Sequence, residues 1–220
     1  MTALELISHE VLPLKTSTIG EDALHIMQDY HVRHLPIVNN EELLGLISEE
    51  EILNGEDMND AVGSYALSPQ RTYVHDRDHI YEIMRLLHES KLTLVPVVDK
   101  KNHYLGVVTL NDLLKYFAES ASFKEPGSVV VLTVTKHNYS LSQIARIVES
   151  EGAIILNSFI SSFPDSMELD ITLKINRPDL SRIMASFVRF GYEIKASFAE
   201  SEYLDSLQEH YDSLMSYLSV

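Results

Sequence analysis

The sequence predicts an α+β chain: two βαββα units, a βαββαβ domain and a C-terminal amphipathic helix. Three observations carry that expectation. The chain repeats itself at a spacing of sixty residues, its composition breaks near residue 120, and a second duplication follows the break.

The first repeat is visible as a preserved order of elements. Shifted by sixty, Ile7-Ser8 falls on Leu67-Ser68, and Leu14 on Val74. Ala23, Leu24, Ile26 and Met27 fall on Ile83, Met84, Leu86 and Leu87, and Leu35-Pro36-Ile37-Val38 on Val95-Pro96-Val97-Val98. One extra residue in the turn Asp99 to His103 moves the spacing to sixty-one, after which Leu44-Gly45 matches Leu105-Gly106 and Ile52-Leu53 matches Leu113-Leu114. Composition bias does not keep such an order.

Each unit reads the same way. A short strand ends near Leu14 or Val74. A helix follows with apolar residues at helical spacing, Ala23, Leu24 and Met27 or Ile83, Met84 and Leu87. Asp76 or Asp78 is placed to cap the second of these helices. The apolar strands "LPIV" and "VPVV" come next. Their prolines lack a ladder donor and are expected at a strand start or an edge. A polar turn leads to "LLGLIS" or "YLGVVT", and a second helix opens at "EEEIL" or "LNDLL".

After Phe117 the stretch "AESASFKEPGS" is small and polar and carries Pro126-Gly127, a boundary signal. Beyond it, "VVVLTVTKHNYSLSQIARIVESEGAIIL" and "LDITLKINRPDLSRIMASFVRFGYEIKAS" each read strand, helix, glycine, strand. Gly152 and Gly191 stand where a left-handed residue stops a helix. Asn138 or Ser140 opens the first helix, and Pro178 suits a first helical turn. The order βαββαβ is that of a ferredoxin-like sandwich. From Ser201 on, Leu204, Leu207, Tyr211, Leu214 and Leu218 form an a/d-like seam, too short for an independent coiled coil. It is expected to pack on its own domain or on a second copy. The boundaries are 1–58 and 59–120 for the repeats, 127–200 for the third domain and 201–220 for the last helix.

Bulk composition narrows the function. The chain has 220 residues, 45% of them hydrophobic, enough for a sizeable core. A net charge of −16 leaves no basic stripe for nucleic acid. With no cysteine, disulfides, thiolate catalysis and zinc–thiolate sites are excluded. The opening "MTALELISHE" lacks the basic and apolar regions of a signal peptide, and no stretch has the roughly 18 apolar residues of a membrane span, so a cytoplasmic location is expected. Among eight glycines there is no G-x-S-x-G, P-loop or G-x-G-x-x-G, and no catalytic constellation assembles.

The candidate chemistry sits where strand passes into helix. "GVVTLND" puts Thr109 three residues before Asp112, and "GLISEEE" puts Ser48 three residues before Glu51. One reading is a pair of helix caps. The other is an anion and diol site. Free N–H groups at a helix start favour phosphate, and a carboxylate beside them accepts hydrogen bonds from a ribose. Metal readings are weaker: His31 and His34 on one helical face, or the cluster His75, Asp76, Asp78 and His79, which is also a solvated turn. The acidic stretch around Glu49 lacks the spacing of a calcium loop.

The duplicated pattern, with Pro36, Val38, Gly45, Ser48 and Glu51 answered by Pro96, Val98, Gly106, Thr109 and Asp112, resembles a tandem pair of CBS domains, a Bateman module, over about residues 1–118. The resemblance implies that the Ser or Thr and the acid contact phosphate and ribose of an adenosine nucleotide (AMP, ADP, ATP) or S-adenosylmethionine. It implies that strand residues Ile47, Val95 and Val108 and the prolines line the adenine slot, and that basic residues before the proline, here Arg33 and His34, meet phosphate. The second site keeps Thr and Asp; the first has the longer glutamate but the basic pair.

The third region resembles an ACT-type domain over about residues 128–199, with Tyr139 where amino-acid-binding relatives carry glycine, so a dimerising or relaying role is expected there. The order CBS–CBS–ACT resembles the AcuB-type proteins of acetoin utilisation. These resemblances imply a non-enzymatic, regulatory homodimer with a regulated protein partner. The alternative is a dimeric adaptor with empty clefts.

Overall fold

The structure, a computed structural model, describes residues 1–65, 72–164, 166–199 and 215. The chain divides into two compact units, Met1–Tyr116 and Phe117–Val220.

The first unit holds the two repeats. Leu14 forms a single parallel bridge to Ile37, and then come α1 (Gly20–Asp29), β1 (His34–Asn39), β2 (Glu42–Ser48) and α2 (Glu49–Leu53). The second repeat runs β3 (Val74–His75), α3 (Ile80–Glu89), β4 (Leu94–Val98), β5 (Tyr104–Thr109) and α4 (Leu110–Glu119). The equivalence is detailed. β1–β2 and β4–β5 are antiparallel, and each shifts register at the same step, Ile37/Val38 and Val97/Val98. His31 (φ 54°) and Lys91 (φ 53°) end the equivalent helices in the left-handed region.

Pro36 and Pro96 lie inside strands flanked on both sides, not at a start or an edge. The hydrogen bonds explain why this is tolerated. On the Leu14 side, Pro36 contributes its carbonyl (from Leu14 N–H, 2.8 Å), while the donor is Val38 N–H (to Leu14 O, 2.9 Å). No ladder bond needs the missing proline N–H. The expected caps of α3 also differ. Its N-cap is His79, whose ring accepts from Tyr81 N–H, while Asp78 instead accepts from His75 N–H (2.8 Å). Met84, expected on the buried face of α3, is 41% exposed; Ile80, Ile83 and Leu87 are buried.

The two repeats exchange their opening segments. Ala3 and Leu4 N–H groups donate to Asp78 and Asp76 carbonyls, and Ser8 pairs with Val107 of β5. Reciprocally, Val62 and Gly63 donate to Thr18 and Thr16, and Ile19 bridges Ala61. Gly106 makes the first crossing possible. A Cβ there would stand 2.4 Å from Ile7 Cγ2 and 3.2 Å from Ser8 O. Gly106→Ala is therefore expected to lower stability by about 1–3 kcal/mol, as overpacking does, read as a lower urea midpoint with unchanged slope.

Tyr104, at the start of β5, has a buried hydroxyl with no partner among the described residues, and burial pushes its phenol pKa up. An unmet buried polar group costs about 1–3 kcal/mol. Tyr104→Phe is expected to raise the melting temperature; a lower one would show that the hydroxyl is satisfied in solution.

The second unit begins with α5 (Ala121–Lys124) and continues β6 (Ser128–Thr135), α6 (Leu141–Ser150), β7 (Ile155–Ser162), β8 (Glu168–Ile175), α7 (Ser181–Arg189) and β9 (Glu193–Phe198). The β6–β9 portion is βαββαβ, with antiparallel sheet order β7-β8-β6-β9. Period-two burial along β6 puts Val130, Leu132 and Val134 into a core with Ile144, Ile147, Ile171, Leu173, Ile183 and Phe187. Gly152 (φ 67°) and Gly191 (φ 81°) end the helices as expected, and Ser140 caps α6 by accepting from Gln143 N–H. Pro178 does not open α7, whose N-cap is Leu180; its carbonyl accepts from Ser128 Oγ (2.7 Å). The predicted seam from Leu204 to Leu218 lies outside the described residues, apart from the helical Met215 beside it. Among the described residues no helix is long and apolar enough to cross a membrane.

Candidate functional site

Both strand-to-helix steps are built alike. Thr109 Oγ1 donates to Asp112 Oδ2 (2.7 Å) and accepts from Asp112 N–H (3.1 Å), and the same Oδ2 accepts from Thr109 N–H (2.8 Å). Ser48 and Glu51 repeat this arrangement at 2.7, 3.1 and 2.7 Å. The cap is thus real at both helices. In each acid one oxygen serves the cap, and the other makes no hydrogen bond among the described residues. The extra methylene of Glu51 does not break the cap.

Each step borders a cavity. One of about 510 Å³ is lined by Ser48, Glu50, Glu51, Asn54 and Tyr65. One of about 430 Å³ is lined by Thr109, Leu110, Asn111 and Leu114, with Tyr30, His31, Val32 and Thr93 opposite. Asp112 stands beside the second cavity without lining it. Ile47, Val95 and Val108 are at most 1% exposed, and Pro36 and Pro96 are buried with them. These five residues are packed into the core of the unit. Arg33 is exposed and lines neither cavity. Its guanidinium stands 3.8 Å from Glu49, over a groove between α1 and α2.

His34 is held where the repeats meet, by a residue to which the sequence assigns no role beyond being uncharged. Thr93 occupies the position equivalent to Arg33. Its hydroxyl accepts from Arg33 N–H (2.9 Å) and lies 3.1 Å from His34 Nδ1, to which Thr93 N–H also points (3.4 Å). Two donors facing Nδ1 make it an acceptor, which puts the proton of the neutral ring on Nε2. The carbonyls of Arg33 and Thr93 accept the first N–H of α2 and α4, from Glu49 and Leu110. The sixty-residue correspondence of Arg33 and Thr93 was the available signal for this contact.

Burial lowers the His34 pKa below the usual 6.5; Glu51 opposes this and Arg33 adds to it. A lowered histidine pKa means the unfolded chain binds the extra proton first. The neutral ring's contribution is complete above about pH 6.5 and is lost as pH falls from there toward the folded-state value. Wild type should therefore lose stability on acidification through this window. His34→Gln should flatten that part of the pH profile, measured by urea unfolding at pH 5 to 8.

His31 follows the end of α1 in a left-handed conformation and His34 begins a strand, so the two do not share a helical face. Among the described residues no group of three or more His, Asp or Glu is placed to hold a metal ion.

A sequence model of the CBS domain matches residues 3–56 and again residues 62–119. Together the two matches take in half of the protein, and the chain belongs to the CBS domain family. Curated relatives include inosine-5'-monophosphate dehydrogenase of Methanocaldococcus jannaschii, 25% identical over 151 residues, which are 67% of this chain and 30% of that protein. The enzyme of the same name from Bacillus subtilis is 25% identical over 140 residues, covering 61% of this chain and 29% of that one. The chain thus spans under a third of the length of these relatives. Among solved structures, a CBS domain pair/ACT domain protein from Thermotoga maritima shares 23% identity at a TM-score of 0.48, covering 54% of this chain and 98% of that one. CBSX2 in complex with AMP shares 23% at 0.46, covering 54% and 96%.

Proposed function

We propose that the chain is a regulatory, non-catalytic protein whose paired repeats bind an adenosine nucleotide or S-adenosylmethionine. The supporting observation is the duplicated hydroxyl–carboxylate step, beside a cavity of about 430 Å³ in one repeat and about 510 Å³ in the other. Both volumes suit a small ligand. Each acid keeps one oxygen uncommitted for a diol, and among the described residues each helix start leaves one N–H for an anion, that of Glu50 or Asn111, its neighbours being bonded to Arg33 O and Ser48 Oγ or to Thr93 O and Thr109 Oγ1. In this reading Thr109 faces phosphate and Asp112 the ribose, while Ser48 and Glu51 form the weaker counterpart. Arg33 supplies the positive side, the neutral His34 ring an N–H donor, and Ile47, Val95, Val108, Pro36 and Pro96 border the base.

Regulation requires that the ligand favour one of two states. We assign the relay to the second unit, acting as an ACT-like domain, with the chain a homodimer. The domain limits 1–58, 59–120, 127–200 and 201–220, a cytoplasmic setting, a regulated protein partner and a role like that of AcuB-type proteins belong to the same proposal.

A thermal-shift panel of AMP, ADP, ATP and S-adenosylmethionine tests it. At a hundred times Kd a ligand adds about 2.7 kcal/mol. One observation favours the adaptor reading: Ile47, Val95 and Val108 are packed shut. No shift with any of the four at millimolar concentration would select the adaptor, and turnover of the nucleotide would select an enzyme.

A further inference from the structure

The sheet of the second unit has two faces, and α6 and α7 serve one of them. The register defines the other. Phe159, Thr172, Val131 and Ala196 form one row across all four strands, and Asn157, Lys174, Val129 and Phe198 the next. Among the described residues α5 meets this face at its Lys174 end, where Lys174 Nζ donates to Phe123 O (3.1 Å). Elsewhere no described element covers the face: Phe159 is 64% and Phe198 61% exposed. Phe163 lies 5.3 Å from the Lys195 ammonium, which also holds Asp170.

We infer that this face is the docking surface for the chain's own C-terminal segment, residues 200–220. Strand β9 ends at Phe198, at the sheet edge and on this face. The next five residues, 199–203, reach up to about 17 Å. That exceeds the ~14 Å between the outer strands of a four-stranded sheet. The seam from Leu204 to Leu218 is about 21 Å long as a helix, which fits a diagonal across strands of up to eight residues. Charge is not what selects the occupant: on this face Lys174 and Lys195 stand among Glu168, Asp170 and Glu193, and Lys195 already holds Asp170.

Because the chain has no cysteine, one nitroxide can be placed by Ser213→Cys, off the seam, in the full-length protein. Amide signals of Val131, Phe159 and Thr172 should be lost, while those of Ile147 and Ile183 on the helix side survive. Leu207→Asp with Leu214→Asp in the labelled chain should restore the lost signals. Loss on the helix side, or no loss on either side, overturns the inference. So does loss of the same signals when nitroxide chains without isotope are mixed with isotope-labelled chains lacking the nitroxide, since that outcome assigns the face to a second copy's tail.

Discussion

Asp112→Ala is expected to weaken nucleotide binding by about ten- to a hundredfold. The estimate follows from losing one charge-assisted hydrogen bond to a diol, about 1.5–3 kcal/mol. The substitution also removes the acceptor of Thr109 N–H and the partner of its hydroxyl. That loss of the cap should cost about 1 kcal/mol of stability. Asp112→Asn separates the two effects: its amide oxygen still accepts from Thr109 N–H, so stability should recover more than affinity. Glu51→Ala is expected to show the same cap loss with a smaller change in affinity. Titration calorimetry with AMP, ADP, ATP and S-adenosylmethionine decides it, and unchanged affinity for all four would remove Asp112 from the site.

The largest stability effect is expected in the second unit. Phe187 is fully buried at the centre of its core and meets Tyr192 edge to face, with centroids 5.7 Å apart at 72°. Tyr192 in turn donates to Gln143 Oε1 (3.2 Å), tying the strand after α7 to α6. Phe187→Ala should cost about 3–5 kcal/mol, transfer and cavity terms together. Of a domain stability near 5–15 kcal/mol, that is a large fraction. Hydrogen exchange of β6 and β8 amides should accelerate at least a hundredfold. A change below tenfold would mean the core collapses around the space.

Much of this was legible in the sequence because duplication is a strong signal. The preserved order of "LPIV" and "VPVV", and of Gly45 and Gly106, placed β1, β2, β4 and β5 and the helix after each pair. The hydroxyl–acid spacing anticipated both caps. Local rules failed where a competing partner decided the outcome. Mid-strand proline looked forbidden until the pairing showed which atoms face Leu14. Asp78 gave up its expected cap to hold His75, and Pro178 stands ahead of α7 with its carbonyl taken by Ser128. Thr93 has no chemical signature of its own; its role comes from meeting Arg33 and His34 across sixty residues of chain.

The exchange of opening segments sets a timetable for synthesis. Ser8 is made about a hundred residues before its partner Val107. At about 5–20 residues per second, the leading segment waits roughly 5–20 s for the edge it will occupy. Through that interval the bridge from Ser8 to Val107 cannot form. Closure is then a single late, long-range event, of the kind that slows folding, and it completes both repeats together.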